Sequence, residues 1–208
     1  MNKEDNAIIN FVNKYKSTIT VLLIVFLTIL LYLFFNSQLK TKKSEEASKL
    51  YYSWNINLLN ENITKSDENF NALINNYPNT GYAQLALLKD SVQEYNSGNT
   101  EISLDQFTRL KNLTNGSSGN RLLNKIASIN IARINIDLLN FDEAIKVLTS
   151  LPNASQDAYV NELIGDIYLK QGNTSQSRAQ YLSAASMYAD EGNDVGQRLV
   201  NMKISNLK

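Results

Sequence analysis

The chain has 208 residues, with 20 basic and 20 acidic side chains and neither His nor Cys, a length that fits one ordinary domain or a smaller domain with an anchor. Without Cys there is no disulfide, thiolate zinc site or cysteine nucleophile, and without His no Ser-His-Asp triad or H-E-x-x-H site. The zero net charge hides an asymmetry: residues 1–43 hold six Lys and two acids, and the remainder carries a net −4, which gives no electrostatic reason to bind nucleic acid.

Residues 1–16 read as a short polar tail. From Ser17 to Leu39 no residue is charged, and the core Thr18 to Phe35 reads TITVLLIVFLTILLYLFF. A membrane span needs about 20 mostly apolar residues, so 17–39 is predicted to be a transmembrane helix. A cleaved signal peptide would have a shorter apolar region ending in a small-x-small site, and no Ala-x-Ala follows here. An uncleaved anchor fits better. Lys3, Lys14 and Lys16 on one side balance Lys40, Lys42 and Lys43 on the other. The positive-inside rule therefore leaves the side of the body open.

Residues 40–208 are predicted to form one helical domain. With two Pro and eight Gly in the whole chain, uninterrupted stretches favour helix over a turn-rich β fold. Leu123, Ala127, Ile131, Ile134 and Leu138 advance by helical steps along one face. Turn-like breaks stand at Asn79-Thr80-Gly81, Asn96–Asn99, Asn115–Gly119, Leu151-Pro152-Asn153 and Gln171-Gly172-Asn173. The 29 Asn residues read as compositional bias rather than chemistry.

A loose repeat of about 34 residues runs through this domain and matches the tetratricopeptide pattern. Its best copy has Ile164-Gly165, Tyr168, the turn Gly172-Asn173, then Ser177, Tyr181 and Ala184. A second has Ile131-Ala132, Asn140, Ala144 and Leu148, with Asn135 where an aromatic is expected. Phe70, Leu73 and Pro78 form an earlier half, and Gly98-Asn99, Ser103 and Phe107 a degenerate copy. Trp54 falls on a small-residue position of the first copy. Small residues let paired helices approach and aromatics fill the gaps between pairs. Phe70, Pro78, Ala132, Ala144, Gly165, Tyr168, Gly172, Tyr181 and Ala184 are therefore expected to serve packing. Val195, Leu199, Met202, Ile204 and Leu207 are expected to lay a C-terminal capping helix onto the last repeat.

The fold class that follows is all-α, with a single N-terminal transmembrane helix and then a tetratricopeptide-like helical solenoid. No phosphate-cradling glycine motif is present. Ser205–Lys208 matches S-x-x-K without its partner motifs. Asp142 and Glu143 read as an acidic first turn. These readings point to a non-enzymatic protein with no catalytic, cofactor or metal residues, no cofactor and no small-molecule substrate. Asn135 and Asn161 are read as exposed polar positions on the first helix of their pairs, and so as partner contacts.

The tail Asn201–Leu207, the stretch Ile131-Ala132-Arg133-Ile134 leading to Asp142-Glu143-Ala144, and Ile164-Gly165-Asp166 leading to Gly172-Asn173 stand in an order that resembles the YfgM-like family, the ancillary subunit of the SecYEG translocon. The resemblance covers nearly the whole chain. It implies a bacterial inner-membrane protein with a cytoplasmic N-terminus and a periplasmic repeat domain. It also implies association with SecYEG and with the membrane-anchored chaperone PpiD, and hand-over of newly translocated proteins to periplasmic chaperones. The alternative is a structural scaffold that holds other envelope assembly proteins together.

Overall fold

A computed structural model describes residues 3–117 and 119–207, with side chains from residue 13 onward. Among them there is no strand. The helices are α1 (Lys3–Leu59), α2 (Ile63–Asn76), α3 (Gly81–Asn96), α4 (Thr100–Leu113), α5 (Arg121–Asp137), α6 (Phe141–Thr149), α7 (Ala158–Lys170), α8 (Thr174–Asp190) and α9 (Asp194–Ser205). A short 3-10 turn, Ala154–Gln156, fills the break expected at Leu151–Asn153. Two compact units divide the chain, Met1–Leu73 and Ile74–Lys208.

In the first unit, one helix passes through residues 39 and 40 without a break. It is long and apolar enough to cross a membrane. Its large apolar side chains from Val21 to Phe35 are all exposed, as a lipid-facing segment requires. The same helix then buries Ala47 and Trp54. Trp54 packs between Tyr51 and Phe70, with ring centroids 5.7 and 5.5 Å away. The end of α1 is thus the first helix of the first pair, and α2 supplies its partner ring.

In the second unit α3 packs on α4, α5 on α6 and α7 on α8, and α9 closes onto α8. A recurring turn makes these pairs. At Gly98-Asn99, Leu139-Asn140, Gly172-Asn173 and Gly192-Asn193 a left-handed residue is followed by Asn at the helix N-cap. Backbone N–H groups of the two turn residues close onto the preceding helix, as Gly172 does to Leu169 O at 2.9 Å and Asn173 to Tyr168 O at 2.8 Å. Glu61-Asn62 makes the same turn in the first unit. The side chains of Asn120, Asn173 and Asn193 also accept from backbone N–H groups of the first helical turn, which offsets orphan donors there. Asn62, Asn99, Asn120, Asn140, Asn173 and Asn193 therefore have structural roles at turns and helix starts.

The residues expected to pack fall as follows. Ala132, Ala144, Tyr181 and Ala184 have no exposure and Phe70 is buried. Tyr168 is half-buried against the cluster of Ala132, Leu148 and Ile164. Gly172 holds a left-handed turn, and Pro78 stands just past the end of α2, where proline stops a helix. The capping helix needs correction. Val200 and Leu207 are buried, with Ile204 against them, while Val195, Leu199 and Met202 are exposed. Gly196 lets that side of α9 turn inward, since a β-carbon there would stand 2.8 Å from ring atoms Cδ1 and Cε1 of Tyr188. Lys208 of the S-x-x-K match lies outside the described residues.

Candidate interaction groove

The first helices of the pairs in the second unit, α3, α5 and α7, line a groove of about 490 Å³. Its walls repeat with the chain. Asn130, Arg133 and Asp137 on α5 stand 33 residues before Leu163, Asp166 and Lys170 on α7. The same spacing separates Ala132 from Gly165 and Ala144 from Ser177. On α3 the groove face carries Val92, Tyr95 and Asn96, and the floor includes Phe107, Ile134 and Ile136.

Polar contacts tie each first helix to the next. The Tyr95 hydroxyl donates to Asp137, from α3 to α5. Arg133 donates to the Tyr159 hydroxyl and lies 5.7 Å from that ring's centroid, from α5 to α7. Lys125 pairs with Asp157, the N-cap of α7. From α9, Lys203 donates to both Asp166 oxygens at 2.7 and 2.8 Å and pairs with Glu162 at 2.7 Å. Those carboxylates also accept from the hydroxyls of Tyr181, at 2.6 Å, and Tyr188, at 2.8 Å. The Tyr95 phenol is pushed up by its hydrogen bond to Asp137 and by burial. Tyr181 and Tyr188 are pushed up by burial first and then by their carboxylate partners.

The groove charges are thus balanced and largely used within the wall: Arg133 and Lys170 against Asp137 and Asp166. The remaining lining is apolar with amide groups. Such a surface suits a polypeptide segment better than a polyanion.

Asn135 and Asn161 do not line the groove. Both are buried, at 4% and 7% exposure, which corrects the expectation that they face solvent. The Asn135 amide donates to Ile131 O at 2.9 Å. That of Asn161 donates to Asp157 O at 2.9 Å and Ala154 O at 3.3 Å. Local backbone acceptors let an amide be buried without an orphaned group. The groove residues were missed in sequence, although Asn130/Arg133/Asp137 and Leu163/Asp166/Lys170 recur at the repeat period and mark the equivalent face.

A family model of the tetratricopeptide repeat-like domain matches residues 10–208. An ancillary SecYEG translocon subunit of Aggregatibacter actinomycetemcomitans is 25% identical over 67% of this chain, and the match spans 65% of that relative's length. Another, from Buchnera aphidicola subsp. Schizaphis graminum, is 30% identical over 74% of this chain and 73% of the relative. A crystal structure of MamA protein shares the fold, with a TM-score of 0.51 and 12% identity over 77% of this chain and 90% of that one. A helical repeat body behind one long apolar helix, with these matches, makes the chain a member of the tetratricopeptide repeat-like domain family and, within it, of the YfgM-like ancillary SecYEG translocon subunits.

Proposed function

We propose that the chain is a non-enzymatic adaptor held in the bacterial inner membrane by residues 17–39, with residues 1–16 in the cytoplasm and 40–208 in the periplasm. In this reading it associates with the SecYEG translocon and with PpiD, and it assists hand-over of newly translocated proteins to periplasmic chaperones. The groove along α3, α5 and α7 carries the proposal. It is an extended, charge-balanced surface on the first helices of successive repeats, the kind of face repeat proteins use for partners. The names of the relatives support the SecYEG translocon as the partner.

Co-purification of the full chain from membranes in mild detergent tests it. Sec subunits and PpiD are the expected partners. Recovery of cell-wall or outer-membrane assembly factors in their place would overturn this reading. Protease added to intact spheroplasts should digest residues 40–208, and protection until lysis would reverse the topology.

A further inference from the structure

The first 77 residues contain neither Gly nor Pro; Pro78 and Gly81 are the first of each. In α1 the one interior residue with non-helical backbone, among those described, is Tyr15, on the side of the span away from the repeats. From Lys16 onward the helix runs through Leu39 and the segment Lys40–Glu46, and ends in the first repeat pair at Leu59. Local bonds line the crossing. The Thr41 hydroxyl donates to Ser37 O at 3.1 Å, that of Ser48 to Glu45 O at 2.7 Å, and Lys49 to Glu46 at 2.7 Å. Both ends are anchored, one by apolar length that matches a bilayer, the other by the buried Ala47 and Trp54.

A helix that joins two anchored ends without a hinge transmits position and rotation. Each residue adds about 1.5 Å of height and about 100° of turn. The first buried repeat residue, Ala47, therefore stands about 12 Å beyond Leu39. A Gly/Ser-rich linker of equal length would let the pair wander over all azimuths.

We propose that α1 is a rigid strut that sets the height and azimuth of the first repeat pair over the membrane, so that engagement of a partner in the same membrane depends on helical phase. A span that acted only as a tether would need neither the continuity nor the absence of hinge residues. The partner half of this statement rests on the proposed membrane complex; the strut half does not.

Because the chain has no Cys, spin labels go directly onto Gln38→Cys and Ile56→Cys in the full chain, reconstituted in phospholipid vesicles. The two sites are 18 residues apart, five full turns, so they lie on one face about 27 Å apart along the axis. Pulsed electron paramagnetic resonance should give one narrow distance distribution there. It should broaden when residues 41–44 are replaced by Gly-Gly-Ser-Gly. A broad distribution in the parent sequence, equal to that of the glycine variant, overturns the strut.

For the partner half, two or four Ala are inserted after Lys43. Two turn the repeat pair by about 200° for about 3 Å of height; four turn it by about 40° for about 6 Å. Cross-linked partner recovery from native membranes should fall at least about tenfold with two Ala and stay near the parent level with four, because joint engagement is lost when geometry forbids it. Equal recovery from the two insertions overturns the phase dependence, and does so independently of the distance measurement.

Discussion

Gly165 on α7 lies directly against the Tyr181 ring on α8: a β-carbon at position 165 would stand 2.5 Å from ring atoms Cδ1 and Cε1. Tyr181 is fully buried, and its hydroxyl is held by Asp166, so the ring has nowhere to retreat. Gly165→Ala is expected to cost about 1–3 kcal/mol through overpacking. For a chain of this size that lowers the melting temperature by about 3–10 °C. Thermal unfolding of the full chain in detergent checks it, and an unchanged midpoint would show that the helices part more easily than this contact implies.

Leu139 holds φ at 61° in the turn between α5 and α6 and is exposed. Its counterparts Gly98, Gly172 and Gly192 are glycines. A side chain in this region strains against its own backbone. Leu139→Gly is expected to stabilise by about 0.5–1 kcal/mol, the strain relief exceeding glycine's entropic cost. A denaturant titration that shows a lower midpoint would refute it.

Burial by itself pulls the Lys203 ammonium down, but hydrogen bonds and charge from Asp166 and Glu162 outweigh this and raise it above 10.5. Its contribution to stability is therefore fully present below 10.5 and is lost as pH rises through the raised folded value. Tyr181 and Tyr188, raised above 10.0 by burial first, act in the same direction, because folding favours their protonated forms. These three groups should hold their contribution constant from pH 7 to about 9 and lose it at higher alkalinity. Lys203→Met should lower stability at neutral pH by about 1–2 kcal/mol, since a third of the side chain remains in water. Urea midpoints across this range test both parts; a steep fall between pH 7 and 9 that Lys203→Met abolishes would contradict the assignment.

The long apolar helix and the helical class were readable because they depend on long-range absences: no charge from Ser17 to Leu39, and few residues that break helices. The repeat was readable where small residues recur, as with Ala132 and Gly165. The facing of α9 was not. Val195, Leu199 and Met202 make as good a helical stripe as Gly196, Val200 and Leu207. The choice is made by Gly196, which fits against the Tyr188 ring, together with Lys203, which reads as a solvent residue yet bridges two carboxylates on α7 and sits 5.6 Å from the Tyr181 ring centroid. The buried asparagines were misread for a similar reason. An amide whose acceptors lie on its own helix can enter the core, and a sequence pattern does not distinguish it from an exposed one.

Asn161→Ala is therefore expected to act on stability. It removes donations to Ala154 O and Asp157 O, at a cost of about 1–2 kcal/mol. Asn135→Ala should cost less, because Ile131 O lies within the regular helical ladder. Partner recovery, normalised to folded protein, should be unchanged in both. A recovery that drops with an unchanged melting temperature would return these residues to a contact role.

The groove carries the opposite expectation. Val92 and Lys170 lie on its wall and are exposed, and neither takes part in the polar contacts that tie the first helices together. Their substitution removes little packing, so Val92→Glu and Lys170→Glu should each change stability by less than about 0.5 kcal/mol. Each puts a carboxylate into a wall whose charges are otherwise balanced, which leaves an unpaired charge against whatever segment lies there. Co-purification of the proposed translocon partners from mild detergent should fall by at least about fivefold, equivalent to about 1 kcal/mol of lost contact. Exposed Leu182 on α8, outside the groove lining, serves as the control, and Leu182→Glu should leave recovery intact. Equal losses from all three substitutions would point to a general effect of added negative charge, and no loss from either groove substitution would remove α3, α5 and α7 as the contact surface.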